Sequence, residues 1–513
     1  MKEVNRKITN IIGVVLYVIG AGLIINCIRL CAGNDIWYDE IFSMDFVTRP
    51  MAEMLSIAAQ DVHPPLYYII VRIAQVIAGV LGITDTIAVA KFMSVVPYML
   101  LMVYGITIIR KRYGMLTAGL FSTIVIGMPQ MYDMTVEIRM YSWALFFVTA
   151  EFLHGIEMLE NADSKKGTIN AVITLLYGTA AAYTHYYGLI AAYSLYLGLF
   201  IWTFFVHNKK LTLTILAFPF ITAVLYIPWI SIALSQTSAV AENYWIQPVT
   251  LRTFPGCAKY ILLGTFNSTL VGYIFVALAG AVIAAALFFA IKKISDTQAK
   301  ATLLGMFVLV LLIIGGYVLS IIIRPVFVYR YMIPALGVFW LAIAIAVGSI
   351  FKEHLAIIAA AVLVIISLRD YQTFNWSEGY KNELMESADE VFSQIDDDTI
   401  IVCNFNHIQA LASFYLNNYY EDGEGMNTIY AYGTEPESLI PVMLDGIEVL
   451  GDDADEQIKA FLEEGKKVLF FGSFNARDEI VQNWEETQGI MSTYLTECMV
   501  ERYWFNVYEL SLN

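Results

Sequence analysis

Charged side chains are scarce along most of this chain. Asp, Glu, Lys and Arg make up 15% of its 513 residues, whereas 58% of the residues are hydrophobic. A soluble protein of this size carries roughly 25% charged residues, so this composition excludes an ordinary soluble enzyme. Several apolar runs reach the ~20 residues that are needed to cross a bilayer. The sequence therefore predicts a polytopic α-helical membrane protein.

Cysteine is also rare, and its positions show no pattern. The five cysteines are Cys27, Cys31, Cys257, Cys403 and Cys498. No two of them have the spacing of a disulfide framework or of a zinc site. The sequence also contains no phosphate-binding loop and no metal-binding signature. We therefore expect no cofactor, with a divalent metal ion left open.

Basic residues are scarce in the C-terminal part of the chain. Residues 370–513 hold 29 of the 46 acidic residues and only 6 of the 30 basic ones, a net charge of −23, which leaves +7 for residues 1–369. We expect a membrane domain at 1–369 and an acidic extracytoplasmic domain at 370–513. The acidic balance argues against nucleic acid as a partner.

The acidic domain alternates strand and helix patterns. Strands are predicted within 396–405, 427–433, 466–474 and 502–510, and helices within 407–418 and 455–467, the second ending at Gly465. This alternation indicates a small soluble α/β domain. We interpret it as an accessory or packing domain.

Eleven apolar segments are candidate membrane spans. They lie at about 8–30, 88–109, 115–131, 138–158, 169–184, 188–206, 211–232, 266–291, 301–323, 332–350 and 354–368. Eleven spans place every cluster of Lys and Arg on one side, which the positive-inside rule makes cytoplasmic. The N-terminus is then cytoplasmic, and the residues after 370 lie outside the cell membrane. The apolar run 63–82 carries Arg72 and Gln75 in its middle, and we interpret it as an interfacial helix on the outer side.

The stretch "IWYDEIFS" (36–43) follows the first apolar run. Its adjacent carboxylates, Asp39 and Glu40, lie at a membrane boundary. Charges beside lipid are costly and usually functional. The alternative is a helix start, where acidic residues cap the helix or favour its first turn.

Two histidines lie on the same outer side. In "QDVHPPLYY", Pro64 and Pro65 suit a helix start and force an extended residue before them, so His63 is held at a helix mouth. A single histidine is more often structural, but its position beside the acidic loop favours a functional role. In "THYYG" (184–188), we interpret His185 and its tyrosines as part of the interfacial aromatic belt.

Two further stretches place arginines on the outer side. In "YDMTVEIRMYS", Glu137, Arg139 and Tyr141 are either an interfacial ion pair with a belt tyrosine or an arginine aimed at phosphate and organised by a carboxylate. In "RPVFVYRYMIPAL", Arg324 and Arg330 oppose the positive-inside trend. That exception indicates an anionic partner, and lipid-linked phosphate is the obvious candidate.

These motifs occur together and in a recognisable order. "IWYDEIFSM", "DVHPPLYYIIVRIA", "EIRMYS" and "RPVFVYRYMIPAL" resemble the GT-C glycosyltransferases. The similarity is greatest to the protein O-mannosyltransferase-like family and its bacterial relatives, including the lipid A aminoarabinose transferases. It covers about residues 8–350 and not the acidic tail. The resemblance implies a GT-C-like membrane fold whose first outer loop bears the acidic motif.

The resemblance also implies an activity. Such enzymes move a hexose or pentose from a polyprenyl-phosphate donor, within the membrane lipids, to a lipid, glycan or protein acceptor on the outer face. By match to the family, Asp39 deprotonates the acceptor hydroxyl in an inverting reaction, and Glu40 positions it. Arg139 and one of Arg324 or Arg330 neutralise the departing lipid phosphate. His63, Glu137 and Tyr141 complete the expected donor site, and many members of the family need no metal.

Two departures limit what carries over from the family. The lipid A enzymes have a lysine where this chain has His63, so the sugar and acceptor cannot be copied from them. The loop at 233–265 is short, whereas the eukaryotic protein mannosyltransferases carry a large folded domain in a later luminal loop, so transfer to protein is not implied.

Two other classes of function are compatible with the composition. A transporter or flippase of lipid-linked sugars is the first, although the sequence shows no clear repeat and its charges cluster at one face. A scaffold whose acidic tail binds an envelope partner is the second. It leaves the acidic and His-Pro-Pro motifs unexplained.

Overall fold

The computed structural model describes residues 2–33, 36–239, 246–264, 269–393, 395–396, 398–416, 427–433, 447–500 and 503–513. Within them the chain forms two compact units. The first, called the helical unit here, contains Met1–Ala32 and Ala58–Asn375. The second, called the sheet unit, contains Gly33–Ile57 and Trp376–Asn513.

The α-helices, in chain order, are α1 (Lys2–Leu30), α2 (Tyr38–Val47), α3 (Met51–Ala58), α4 (Leu66–Val80), α5 (Thr86–Tyr104), α6 (Arg110–Tyr113), α7 (Met115–Gly127), α8 (Tyr141–Glu160), α9 (Lys165–Thr184), α10 (Tyr186–Val206), α11 (Lys209–Leu225), α12 (Ile227–Ala239), α13 (Thr253–Leu262), α14 (Thr269–Lys292), α15 (Thr297–Ile322), α16 (Ile333–Ile345), α17 (Glu353–Phe392), α18 (Asn406–Phe414), α19 (Ala454–Glu463) and α20 (Phe474–Asn483). A π-helical turn, Gly105–Ile109, joins α5 to α6, and 3-10 turns lie at Asp133–Thr135 and Tyr329–Met332. Two further π-helical turns follow α16 and α20, at Ala346–Ile350 and Trp484–Gln488.

Each of the eleven predicted spans contains a helix. Among the described residues, seven helices are long and apolar enough to cross a membrane, and α11 with α12, bent by 70° at their junction, form an eighth if they count as one span. The chain is thus a multi-pass α-helical membrane protein. The segment 63–82 contains only the 15-residue helix α4, which at 1.5 Å per residue is about 22 Å long.

The count by length and composition is lower than the eleven predicted, and helix α8 shows why. It carries three glutamates, Glu151, Glu157 and Glu160, yet nearly all of its residues are buried. Helices α5, α9, α10 and α16 cover it. A polar helix can lie inside a membrane bundle when neighbouring helices shield it from lipid. Helix α7 is left out of the count for a different reason, because its 13 residues are too few to meet the length criterion.

Helix α16 is the centre of the helical unit. All 13 of its residues are buried, and it packs against α7, α8 and α15. Its sequence is apolar on every face, as expected of a helix that has no solvent-facing side. Because α16 packs on α8, the segments that lead into these two helices come together, and these segments carry the predicted arginines Arg139 and Arg330.

In its described residues, the sheet unit contains one six-stranded sheet. Its strands are β1 (Ile400–Cys403), β2 (Ile429–Ala431), β3 (Ile447–Val449), β4 (Val468–Gly472), β5 (Ile490–Val500) and β6 (Tyr503–Leu512), in the spatial order β3-β2-β1-β4-β6-β5. The first four strands are parallel, and β6 pairs antiparallel with β4 and β5. Its core includes Val402, Phe470 and Trp484. The predicted α/β domain is therefore confirmed, with β3 and β5 added to the four predicted strands.

The division of the chain differs from the predicted boundary between residues 369 and 370. The two units meet in sequence inside α17, after Asn375, and the segment Gly33–Ile57 groups with the C-terminal residues. The reason is that α2 packs against α18. The acidic motif thus belongs to the sheet unit. The sequence does not reveal this grouping, because α2 and α18 are more than 300 residues apart in the chain.

Candidate active site

The acidic motif forms the start of α2. The Glu40 carboxylate accepts a hydrogen bond from the backbone N–H of Trp37 at 3.1 Å, and the first backbone bonds of the helix run to the Trp37 carbonyl. Glu40 is only 5% exposed. This is the reciprocal half of a capping box, in which the third helical residue reaches back to the cap. Glu40 therefore has a structural role, and the neighbouring Asp39 lies half-buried in the first turn.

A second group of polar side chains lies in the helical unit. We call it the polar cluster, and its members are Asp61, His63, Tyr68, Arg139, Tyr141, His185, Arg330 and Tyr331. They come from four separate stretches of the chain. Of the eight residues that the sequence motifs indicate, it contains His63, Arg139, Tyr141 and Arg330.

Asp61 and His63 form a buried pair immediately before α4, whose N-cap is Pro65. Nδ1 of His63 lies 2.9 Å from Oδ2 of Asp61, and the Tyr68 hydroxyl donates to the same oxygen at 3.4 Å. Burial opposes ionisation of Asp61, but His63 and Arg139 outweigh it and lower the Asp61 pKa. Asp61 is therefore ionised at neutral pH.

The pKa of His63 is lowered as well, first by burial and then by the charges of Arg139 and Arg330, which together outweigh the attraction of Asp61. A neutral imidazole therefore lies beside an ionised carboxylate. Because the carboxylate accepts, Nδ1 carries the proton, and Nε2 keeps a free lone pair.

His185 lies between α9 and α10, 5.6 Å from His63 between ring centroids. Its Nδ1 accepts a hydrogen bond from the backbone N–H of Tyr187 at 2.9 Å and so caps α10. The His185 ring also packs near the rings of Tyr141 and Tyr331, at centroid distances of 5.3 Å and 5.1 Å. The sequence analysis assigned His185 to an interfacial belt, but the side chain is 2% exposed and lies within the polar cluster.

The protonation of His185 follows from these contacts. Burial lowers its pKa well below the usual value, and His63, Arg139 and Arg330 lower it further. With Nδ1 accepting from the backbone, the proton of the neutral ring is on Nε2. That atom is buried and has no hydrogen-bond partner among the described residues. His185 thus offers a buried donor to a bound molecule.

Arg139 and Arg330 supply the positive charge of the cluster. Arg139 is 4% exposed and precedes α8. The guanidinium carbon of Arg330 lies 5.9 Å from the centroid of the Tyr141 ring. Both arginines lower the pKa values of the two histidines. Arg324 is half-buried just beyond the end of α15, and its charge is not among those that perturb the histidines.

Glu137 is buried in the turn that precedes α8. Its backbone carbonyl accepts hydrogen bonds from the Ser94 hydroxyl at 2.6 Å and from the Arg139 backbone N–H at 2.7 Å, which fixes the turn before α8. Burial, Asp133, Tyr141 and Glu137 together raise the pKa of Tyr260 well above its usual value. The sequence motifs did not indicate Tyr260, which lies on α13.

A cavity of about 260 Å³ opens beside the two histidines. Its lining includes His63, His185, Tyr331 and Gln236. The Gln236 side chain is held in place by hydrogen bonds from its amide nitrogen to the backbone carbonyls of Ala58 and Ala59, at 3.0 and 3.1 Å, and by one from the Tyr186 hydroxyl.

A second cavity, of about 1060 Å³, lies between α10, α11, α12 and α15, and its lining is almost entirely apolar. The two cavities share Leu189 and Ile190. The cavity beside the two histidines thus borders the larger apolar cavity.

The described part of the chain contains no group of three or more His, Cys, Asp or Glu side chains arranged to hold a metal ion. The five cysteines are all free and buried.

No protein-family model matches the chain, and no curated protein matches it in sequence. Solved structures do match. The chain is similar to ArnT from Cupriavidus metallidurans, in the apo state with a TM-score of 0.60 at 10% identity, and bound to undecaprenyl phosphate with a TM-score of 0.58 at 11% identity. Each match covers 97% of this chain and 97% of the ArnT chain.

A third similar structure is the oligosaccharyltransferase AglB from Archaeoglobus fulgidus, in complex with an inhibitory peptide and a dolichol-phosphate. Its TM-score is 0.45 at 12% identity, over 79% of this chain and 63% of that chain. The ArnT matches show that this chain has the GT-C fold, as the sequence motifs predicted. They also extend over the acidic C-terminal part, which the motifs did not cover.

Proposed function

We propose that this protein is a membrane glycosyltransferase that moves a sugar from a polyprenyl-phosphate donor to an acceptor hydroxyl on the outer face of the membrane. The single observation that carries this proposal is the pair of adjacent cavities in the helical unit. The lining of one includes two histidines whose pKa values are lowered by the charges of Arg139 and Arg330, and the lining of the other is apolar. This shape and polarity fit an amphiphile that has an anionic head and a long hydrocarbon tail.

The polar end is suited to a phosphate. Arg139 and Arg330 are cations that can form charge-assisted hydrogen bonds to phosphate oxygens. His185 adds a buried N–H donor, since its Nε2 has no partner among the described residues. The neighbouring structure of ArnT with undecaprenyl phosphate supports a lipid phosphate as the ligand.

The apolar end is suited to an isoprenoid chain. The larger cavity is lined mainly by Leu, Ile, Val, Ala and aromatic side chains from four helices. Burying such a chain stabilises the complex by about 25 cal/mol per Å² of apolar surface removed from water. Lipids of the bilayer compete for the same cavity, so recognition comes from the polar end.

The acidic motif supplies the base in this proposal. The Glu40 carboxylate accepts a hydrogen bond from the Trp37 N–H at the start of α2, so Asp39 is the carboxylate that we assign to proton abstraction. The acceptor oxygen forms a bond to the anomeric carbon, Asp39 takes its proton, and the bond from that carbon to the phosphate oxygen breaks. The configuration inverts, and the polyprenyl phosphate leaves with its negative charge stabilised by Arg139 and Arg330.

The basic loops support an orientation with the N-terminus in the cytoplasm and the sheet unit outside. The cell membrane is the proposed location, and the acceptor is a lipid, a glycan or a protein. His63, which replaces a lysine of the lipid A enzymes, supports a sugar or an acceptor different from theirs.

The direct test is sugar transfer by the purified protein in nanodiscs. Radiolabelled undecaprenyl-phosphate hexoses and pentoses serve as donors, with an envelope glycolipid and glycan extract as acceptor. We expect transfer from one donor class, and Asp39→Asn to lower it by about 10²- to 10⁴-fold, the usual contribution of a general base. The matched control is Asp45→Asn on the same helix, a partly exposed carboxylate 3.8 Å from Arg49. Normal transfer by Asp39→Asn would contradict the role of the base.

A transporter of lipid-linked sugars is the second candidate. The 70° bend between α11 and α12 favours it, because discontinuous helices are typical of transporters. Reconstituted protein that moves a fluorescent polyprenyl-phosphate sugar between leaflets, without releasing polyprenyl phosphate, would support transport and contradict glycosyl transfer.

A further inference from the structure

The sheet unit has a topological switch point that no part of the proposed function uses. From β1 the chain proceeds to β2 and β3 on one side, and then crosses to β4 on the other side. Open α/β sheets bind their ligands at the carboxyl ends of the strands where such a reversal occurs. Here the two strand ends are tied together, because the Asn404 amide donates to the Ser473 carbonyl at 3.0 Å and accepts from the Ser473 N–H at 2.9 Å.

The residues at this edge contact the acidic helix α2. His407 is the second residue of α18, which follows β1, and its ring lies 3.9 Å from the ring of Tyr38 between centroids. Phe405 at 4.6 Å and Tyr503 at 5.0 Å enclose the His407 ring from other sides. The position that α/β domains use for a ligand thus holds a segment of the same chain.

A second contact fixes the residue before the motif. The Tyr415 hydroxyl donates to the backbone carbonyl of Ile36 and accepts from the backbone N–H of the same residue, each at 3.0 Å. Tyr415 is fully buried, and its ring packs against Phe392 and Phe414. Because packing holds the ring, the hydroxyl is a fixed anchor for the backbone of Ile36.

The charge state of His407 follows from its burial. Burial lowers the pKa of His407 to about 4, although Asp39 raises it in part. The imidazole is therefore neutral at pH 7. His407 holds the helix by its ring and not by its charge.

We propose that the C-terminal α/β domain positions the acidic motif for catalysis, with Tyr415 and His407 as the positioning residues. This rests on the proposed function, in which Asp39 is the base. The oxygen of a general base must lie within about 2.6–3.2 Å of the atom that carries the proton it removes, and a displacement of about 1 Å can cost 10²-fold in rate. Anchoring the backbone at Ile36 and the side chain at Tyr38 restrains Asp39 from both sides of the helix start.

The first test measures the docking without relying on activity. Hydrogen–deuterium exchange is followed in the full-length protein in nanodiscs for the peptides that cover 33–57. Tyr415→Phe removes the hydroxyl and keeps the ring, and we expect faster exchange in the peptide that contains Ile36. The matched control is Tyr432→Phe, which removes another hydroxyl of the sheet unit, one that donates to Asp455 at 2.8 Å. Unchanged exchange at 33–57 in Tyr415→Phe would overturn the proposal.

The second test measures the kinetic consequence. We expect Tyr415→Phe and His407→Ala to lower kcat by about 10-fold or more while the KM for the lipid donor changes by less than about 2-fold. His407→Phe keeps a ring against Tyr38 and should restore most of kcat. Losses that equal that of Tyr432→Phe and follow only the thermal stability would indicate a merely structural role and overturn the proposal.

The two readouts also separate this inference from the function on which it rests. If Tyr415→Phe loosens 33–57 but the wild-type protein transfers no sugar from any donor, the docking is supported and the proposed function is contradicted. If the wild-type protein transfers sugar and the variants Tyr415→Phe and His407→Ala both keep full kcat, the proposed function stands and the positioning role is overturned.

Discussion

Nδ1 of His63 lies 2.9 Å from Oδ2 of Asp61 in the polar cluster. Both groups are almost fully buried, with side chains 8% and 11% exposed. The lowered pKa of Asp61 keeps the carboxylate ionised, and the lowered pKa of His63 keeps the ring neutral. The pair therefore sets the tautomer of His63, in which Nδ1–H donates to Asp61 and Nε2 remains as an acceptor. Buried networks of this kind act as a unit.

The pair leads to a prediction of non-additivity. We expect Asp61→Asn and His63→Ala each to lower kcat/KM for sugar transfer by about 10-fold or more, and the double variant to lose little beyond either one, because each change breaks the same contact. The control is Asp85→Asn, since Asp85 caps α5 at 2.8 Å and Asn is an equally good cap. Additive losses in the double-mutant cycle would contradict the coupling.

The two outer arginines should differ in importance. We expect Arg330→Gln to lower kcat/KM by about 10- to 100-fold, because it removes a charge-assisted hydrogen bond to phosphate. Arg324→Gln should change it far less, since Arg330 is the arginine that lies over the Tyr141 ring and lowers the pKa values of both histidines of the polar cluster. Steady-state kinetics with a lipid-phosphate donor decide between them, and a larger loss in Arg324→Gln would reverse the assignment.

His185 should have two separable roles. His185→Asn keeps an oxygen that can cap α10 but removes the N–H group at Nε2. We therefore expect near-normal thermal stability and a KM for the lipid-linked sugar raised by about 10-fold. His185→Ala removes the cap as well and should cost about 1 kcal/mol of stability in addition. Equal KM values in His185→Asn and the wild type would show that Nε2 does not contact the donor.

The segment 63–82 should not cross the membrane. A cysteine placed at Thr84, which is exposed, should react with an impermeant maleimide in intact cells. The native cysteines are buried and give little background. A cysteine at Asp163, in the loop between α8 and α9, should label only after permeabilisation. If the Thr84 cysteine also needs permeabilisation, then α4 crosses and the orientation of the later helices inverts.

Stability should depend on pH through His407. Its pKa falls from 6.5 in the unfolded chain to about 4 in the fold, so the unfolded state binds the proton first as pH falls. The contribution of His407 is complete above pH 6.5 and is lost as pH falls toward 4, a loss of at most about 3 kcal/mol at 1.36 kcal/mol per unit. Thermal unfolding of His407→Phe should therefore show a weaker decline over this range than the wild type. Parallel curves for the two proteins would contradict the shifted pKa.

The sequence by itself determined the membrane class, the helix positions and the α/β tail. Each follows from local properties, because a run of apolar residues or an alternating pattern fixes an element largely without reference to the rest of the chain. The order of the acidic, His-Pro-Pro, Glu-x-Arg and Arg-Pro motifs was enough to indicate the GT-C fold. Even the end of α19 was visible, at Gly465, which has φ of +76°.

Only the tertiary structure decided which polar residues meet. Asp61, His63, His185 and Arg330 come together because α4 packs against α9, α9 against α10, and α10 against α16, and packing of distant segments leaves no local signal. Because no local signal marks such packing, the sequence indicated only a place in the interfacial aromatic belt for His185. The docking of Ile36 on Tyr415 also depends on a contact that the chain makes only once it is folded. The sequence named the acidic pair, and the fold divided its two carboxylates between a helix cap and a candidate base.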